Sequence, residues 1–245
     1  YMLLYTSGGM DETIRLASSW NVEGLILLGV QPQEIEKIRE WLKMPVVYID
    51  SYYPEKDVEF DNVGIQDYEG SYEMTRYLIR QGHTKIAFLA DGKPLAGVDY
   101  ERYRGYCDAL RDHMDLMDRE KSENYHYLPF EKNIRHEMLR QFCRKHIQNY
   151  TALFFASDFY AMDAVNLFYT QGIEVPRDIS VVGFDDNICA QQCRPRLTTV
   201  RQYISEKGKA AVDKILHMIL NEKEVVRNIH LPVELIIRDS VSPNK

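Results

Sequence analysis

The chain has 245 residues, 45% of them hydrophobic, and its 37 aspartates and glutamates outnumber 30 lysines and arginines for a formal charge of −7. It is long enough for one large domain or two small lobes, and its acidic balance argues against a direct grip on a polyanion such as DNA. No apolar run reaches the roughly 18 residues that a membrane span needs, and no charged-then-apolar leader opens the chain, so the expected location is the cytoplasm, with no membrane partner.

Taken in order, YMLLY at 1–5 reads as a strand, and Asp11 or Thr13 can cap a helix running to about Trp20. EGLILLG at 23–29 reads as a strand, PQEIEKIREWLK at 32–43 as a helix opened by Pro32, and PVVYID at 45–50 as a strand. Strands alternating with helices imply a parallel sheet covered on both faces. Residues 51–66 are polar and turn-rich, and Asp61, Asn62 and Gly64 read as turn chemistry.

A helix is expected from about Tyr68 to Gln81, then a strand over Lys85–Leu89 and a helix from about Tyr100 to Asp112. Residues 113–130 are irregular and charged, with a short strand near Tyr125–Leu128. Met138, Phe142 and Ile147 form a helical stripe that belongs to a core. ALFFA at 152–156 is the next strand, and Ser157 or Asp158 caps the helix that follows and stops at Gly172. Ile204, Ala211, Val212, Ile215 and Ile219 recur at helical spacing, and a last strand pair is expected between Ile229 and Arg238.

The segment DISVVGFDDNICAQQCRPRLTTVRQ, Asp178 to Gln202, holds the strongest functional signal. Its β-branched run Ile179, Val181, Val182 reads as a buried parallel strand that spills into Asp185 and Asp186. Ligands of open α/β sheets sit outside the carboxyl ends of the strands, where a carboxylate accepts hydrogen bonds from ligand hydroxyls.

This segment, together with GHTKIAFL at 82–89, ERYRGYCDAL at 101–110 and ALFFASDFYAMDAV at 152–165, resembles the effector-binding region of the lactose/galactose repressor family of bacterial transcription regulators. The four stretches occur in the family's order and span most of residues 80–202. The resemblance implies two similar α/β lobes with parallel sheets flanked by helices, of the type I periplasmic-binding-protein kind, joined by three crossovers with a ligand cleft between them. With crossovers expected near His83, Val200 and His230, the lobes would comprise 1–82 plus 200–229 and 83–199 plus 230–245. A further strand and helix at the start, and before them a helix-turn-helix headpiece, would belong to such a protein and are not among these residues.

The resemblance also implies site residues. Arg102 lies in R-x-x-G-Y with Gly105 and Tyr106, where the family's arginine reaches the ligand, and its five-donor fork suits two adjacent sugar oxygens or a carboxylate. Asp185 would accept where Arg102 donates. Phe154 stands where some members place an aromatic against the ligand, although a strand phenylalanine is also ordinary core; Ser157 could offer a hydroxyl. Asp186 and His83 read as structural.

No GxGxxG, GxxxxGK[ST] or GxSxG occurs, His136-Glu137 lacks the second histidine of a zincin helix, and no nucleophile adjoins a base. The cysteines Cys107, Cys143, Cys189 and Cys193 lack CxxC spacing and read as small hydrophobes. No catalytic residue, metal or cofactor is expected. The expected function is effector binding, of a sugar or nucleobase-like molecule, and homodimerisation in a transcription regulator that touches DNA only through its headpiece. The alternative is a free-standing sugar-binding protein of a transport or sensing system.

Overall fold

The computed structural model describes residues 9–30, 32–52, 60–113, 125–220 and 227–244. The strand expected over 1–5 and most of the connection at 113–130 lie outside these residues. In chain order the elements are α1 (Met10–Ser19), β1 (Leu25–Leu28), α2 (Pro32–Trp41), β2 (Val46–Ile49), β3 (Asn62–Ile65), α3 (Asp67–Arg80), β4 (Ile86–Ala90) and α4 (Gly97–His113). There follow β5 (Tyr125–Tyr127), α5 (Lys132–Lys145), β6 (Ala152–Phe155), α6 (Asp158–Thr170), β7 (Ser180–Val182), α7 (Ile188–Gln192), β8 (Thr199–Gln202), α8 (Ile204–Ile219), β9 (Asn228–Leu231) and β10 (Val233–Ile236). They fall into two compact units, residues 1–65 with 203–231, and 66–202 with 232–245.

The first unit is built on a parallel sheet of order β1-β2-β3-β9. Successive residues of β2 serve opposite faces, as a pleated strand requires. Tyr48 joins Ile14, Ile35 and Ile38 under α1 and α2, whereas Val47 and Ile49 join Ala211 and Ile215 of α8. Two lysines of α8 end on acids beside this sheet: Lys207 reaches Asp50 at 2.5 Å, and Lys214, 1% exposed, reaches Asp61 at 3.1 Å.

The second unit is built on a parallel sheet of order β5-β4-β6-β7, with β8 and β10 forming a separate antiparallel pair. Ala87, Leu89, Leu153 and Phe155 pack into a core with Leu139, Phe142, Ala164 and Phe168 of α5 and α6. The alternate residues Phe88 and Phe154 turn to the opposite face, where Phe88 meets Tyr106 of α4 with ring centroids 5.4 Å apart.

Three expectations are corrected. Residues 62–65 are not a turn but the fully buried strand β3, in which Asn62 accepts the Ser51 N–H at 3.2 Å. Its polar Asn and its Gly hide a strand that is covered on both faces. The expected strand pair near the end does not form, because β9 pairs with β3 in one unit and β10 with β8 in the other, with Pro232, which has no N–H to donate, between them. The first crossing between units falls at 65/66 rather than near His83, because α3 packs on α4. There the Gly105 position is so close that an added Cβ would lie 2.2 Å from the Tyr68 carbonyl oxygen. The other crossings fall at 202/203 and 231/232, close to Val200 and His230.

Candidate effector site

The carboxyl ends of β4, β6 and β7 bring a polar cluster together within the second unit. Each strand stops at a polar residue: Asp91 after β4, Ser157 after β6 and Asp185 shortly after β7. Helices α3 and α4 bring Asp67 and Arg102 to the same end.

Arg102 is 7% exposed and heavily engaged. Its Nε donates to Asp67 Oδ1 at 2.8 Å, its Nη1 donates to the Ala156 carbonyl at 2.5 Å and lies 3.6 Å from Asp185 Oδ1, and its guanidinium sits 3.8 Å above the Phe184 ring. Burial alone would lower its pKa, but Asp67, Asp185 and Asp99 outweigh burial and hold the guanidinium charged.

Asp185 accepts from Ser157 Oγ at 3.0 Å and from Gln202 Nε2 at 2.8 Å, and its side chain keeps 17% of its surface exposed. Burial raises its carboxyl pKa, with Arg102 acting in the opposite direction. Its backbone is held at φ 119°, a region that L residues avoid, by its own N–H on the Val200 carbonyl at 2.8 Å. Ser157 also caps α6 by accepting the Phe159 N–H at 3.3 Å, so one hydroxyl serves helix and site together.

Asp91 and Asp99 complete the cluster. Asp91 accepts from Tyr160 Oη at 2.5 Å, and Asp99, in the first turn of α4, is hydrogen-bonded to Asp91. Burial pushes the Asp99 carboxyl up to about 7; Arg102 opposes that shift, and Asp91 and Asp67 add to it.

The structure thus brings Arg102 and Ser157 to opposite oxygens of Asp185. Phe154 is set apart: it is 0% exposed and packs edge-on to Phe88 at 5.3 Å, on the α4 face of the sheet. Asp186 is a structural anchor, taking Arg201 at 2.7 Å and Arg238 at 2.5 Å, and His83 ties Thr151 to the Ser242 carbonyl, both at 3.0 Å. Sequence reasoning missed Asp67, Asp91, Asp99 and Gln202. For Asp91 the signal was present, since an acid directly follows the apolar run IAFLA, as Asp185 follows its own strand. All four cysteines are free. Among the described residues no three His, Cys, Asp or Glu side chains are grouped to hold a metal ion, and no helix is long and apolar enough to cross a membrane.

Residues 75–241 match the family model described as "Periplasmic binding protein-like domain". The NTD biosynthesis operon regulator NtdR of Bacillus subtilis is 30% identical over 233 residues, which is 94% of this chain and 68% of the relative. The HTH-type transcriptional regulator RegA of Clostridium saccharobutylicum is 32% identical over the same shares, and the ribose operon repressor of Haemophilus influenzae is 28% identical over 98% of this chain and 71% of its own. The chain belongs to the lactose/galactose repressor family. It is an effector-binding region of that family, and the relatives named are transcription regulators. Among solved structures, a putative transcriptional regulator LacI from Bacillus cereus superposes with a TM-score of 0.84 at 22% identity, covering 100% of this chain and 86% of that one. The CelR–cellobiose complex gives 0.82 at 24%, covering 94% and 69%; at these identities the likeness carries the fold alone.

Proposed function

We propose that this chain binds a small polyhydroxylated effector, a sugar or close relative, at the strand ends of its second unit. Arg102 donates to ligand oxygens there, Asp185 and Ser157 accept and donate, and Phe154 supports the floor from inside the sheet. The observation that carries this reading is Asp185 standing between Arg102 and Ser157, with an oxygen toward each, at the carboxyl ends of parallel strands, where such sheets hold ligands. A relative that is a ribose operon repressor supports the sugar reading.

The wider role is that of the effector-responsive, dimerising part of a cytoplasmic, non-enzymatic regulator whose DNA contact is made through a headpiece outside these residues. A two-fold operator is read by two headpieces held at fixed spacing, so a homodimer interface of about 1,600 Å² belongs to this reading.

A thermal-shift screen of sugars and nucleosides tests it. A ligand at a hundredfold excess over Kd adds about 2.7 kcal/mol to apparent stability, and Asp185→Asn should abolish that gain. If Asp185→Asn bound the same ligand within about threefold of the parent, the site assignment would fail.

A further inference from the structure

Asp158, the first residue of α6, stands outside the cluster described above, yet its contacts close around the turn that carries Asp185. It is 0% exposed. Its backbone N–H donates to the Phe184 carbonyl at 2.7 Å, its Oδ2 accepts the Asn187 N–H at 3.1 Å, and its Oδ1 accepts from Thr199 Oγ1 of β8 at 2.6 Å. One residue thus grips the turn on both sides of Asp185 and Asp186. It also joins the turn to β8, the strand whose Val200 carbonyl takes the Asp185 N–H at 2.8 Å.

The turn needs such a grip. Asp185 and Asp186 sit at φ 119° and 52°, a region that L residues rarely adopt and that persists only where the surroundings fix it. Gly183 makes room for the clamp, since a Cβ there would lie 2.1 Å from Asp158 Oδ1 and 3.1 Å from the Asp158 Cα. Burial raises the Asp158 carboxyl pKa to about 8, with Thr199 and Asn187 opposing the shift and Asp185 and Asp186 adding to it. In its protonated form the carboxyl has one acceptor for the Asn187 N–H and one O–H for Thr199 Oγ1. An asparagine amide reproduces that pattern, and alanine does not.

Resting on the effector-site reading above, we infer that Asp158 is a positioning residue for that site: without meeting the ligand, it fixes the turn at 183–187 and so sets where the Asp185 carboxyl stands between Arg102 and Ser157. Ser157, its neighbour in the chain, bonds Asp185 directly at 3.0 Å, so the start of α6 holds this acid both through the turn backbone and by a side chain. Binding groups keep a productive geometry only when packing and hydrogen bonds from their neighbours lock them in place.

The test is amide hydrogen exchange followed by NMR on the 245-residue chain, joined to titration calorimetry with ribose, glucose and galactose as probes. In Asp158→Ala the amides of Asp185 and Asn187 should exchange about tenfold or more faster than in the parent, the factor that losing one hydrogen bond confers. The Ala156 amide, bonded to the Leu89 carbonyl of the sheet, should stay within about threefold. Asp158→Asn should restore the parent rates. A sugar that binds the parent should bind the alanine variant about tenfold or more weaker and the asparagine variant within about threefold of the parent. Thr199→Val, a milder change should the alanine variant not fold, should move the same two amides in the same direction. Parallel acceleration of all three amides would make Asp158 an ordinary support of the fold, and an unchanged Asp185 amide would mean that the turn holds without it; either result overturns the inference. So would a sugar held equally by the parent and the alanine variant. Silence from all three sugars in the parent would count against the effector-site reading, and the exchange rates would still decide whether Asp158 holds Asp185.

Discussion

Arg102 Nε and Asp67 Oδ1 meet at 2.8 Å with side-chain exposures of 8% and 0%, so the residue proposed to contact a ligand is also one half of a buried ion pair joining α4 to α3. Arg102→Ala therefore takes the guanidinium away from the buried Asp67 carboxylate. Urea denaturation should show a loss of about 3 to 5 kcal/mol, the usual result of breaking a buried pair from one side. A variant as stable as the parent would mean that Asp67 escapes to water, and the pair would lose its structural role. Loss of ligand binding in Arg102→Ala is consequently a poor measure of contact, and the cleaner probe is Asp185.

Asp185 combines a raised carboxyl pKa with a backbone φ of 119°, each a cost in the folded state. Strain of this kind costs about 1 to 3 kcal/mol, and glycine adopts the conformation freely. Asp185→Gly should be at least as stable as the parent in urea and should not bind effector. A variant less stable by more than about 1 kcal/mol would show that its bonds to Ser157 and Gln202 matter more to the fold than to the ligand.

Asp99 makes stability depend on pH. Its folded-state pKa of about 7 lies above the ordinary 3.8, so the fold favours its protonated form. That contribution is fully present below about pH 4 and is lost as pH rises through about 7. Arg102, Asp91 and Asp67 act on Asp99, and Tyr125 and Tyr160 face it, but these tyrosines are held neutral well beyond this window. Melting temperatures of Asp99→Asn and the parent should match at pH 4 and diverge in favour of the variant by pH 7.5. Parallel curves across that range would place Asp99 in ordinary solvent contact.

Gly105 lets α4 close on α3. A methyl group there would lie 2.2 Å from the Tyr68 carbonyl oxygen and 3.0 Å from the Tyr72 nitrogen, both backbone atoms that cannot swing aside. Gly105→Ala should cost about 1 to 3 kcal/mol despite the better helix propensity of alanine, as overpacking does. A neutral or stabilising result in chemical denaturation would show that the two helices slide apart freely.

Much of the fold was legible in the sequence because it is written in local patterns. β-branched and apolar runs such as VVYI, IAFLA and ALFF end abruptly at polar residues, and helical stripes such as that of Ile204, Ala211 and Ile215 repeat at the right spacing. Four motifs in order then sufficed to indicate the family, and with it the expectation that Arg102, Asp185 and Ser157 meet a ligand. Strand β3 stayed hidden because Asn62 and Gly64 interrupt its pattern, and their burial follows from neighbours β2 and β9, distant in the chain.

The partners of the site residues could only come from the tertiary structure. Asp67, Asp91 and Gln202 lie 35, 11 and 100 positions from Arg102, and each is by itself an unremarked polar residue beside a helix or strand. Phe154 carries the same lesson in reverse. Its type suits a ligand face, but strand alternation and the register against Phe88 turn it toward α4, with none of its surface exposed. Side-chain type is a local property, whereas which groups share one low-dielectric environment depends on where parallel strands end together, and from that follow the paired charges and the raised carboxyl of Asp99.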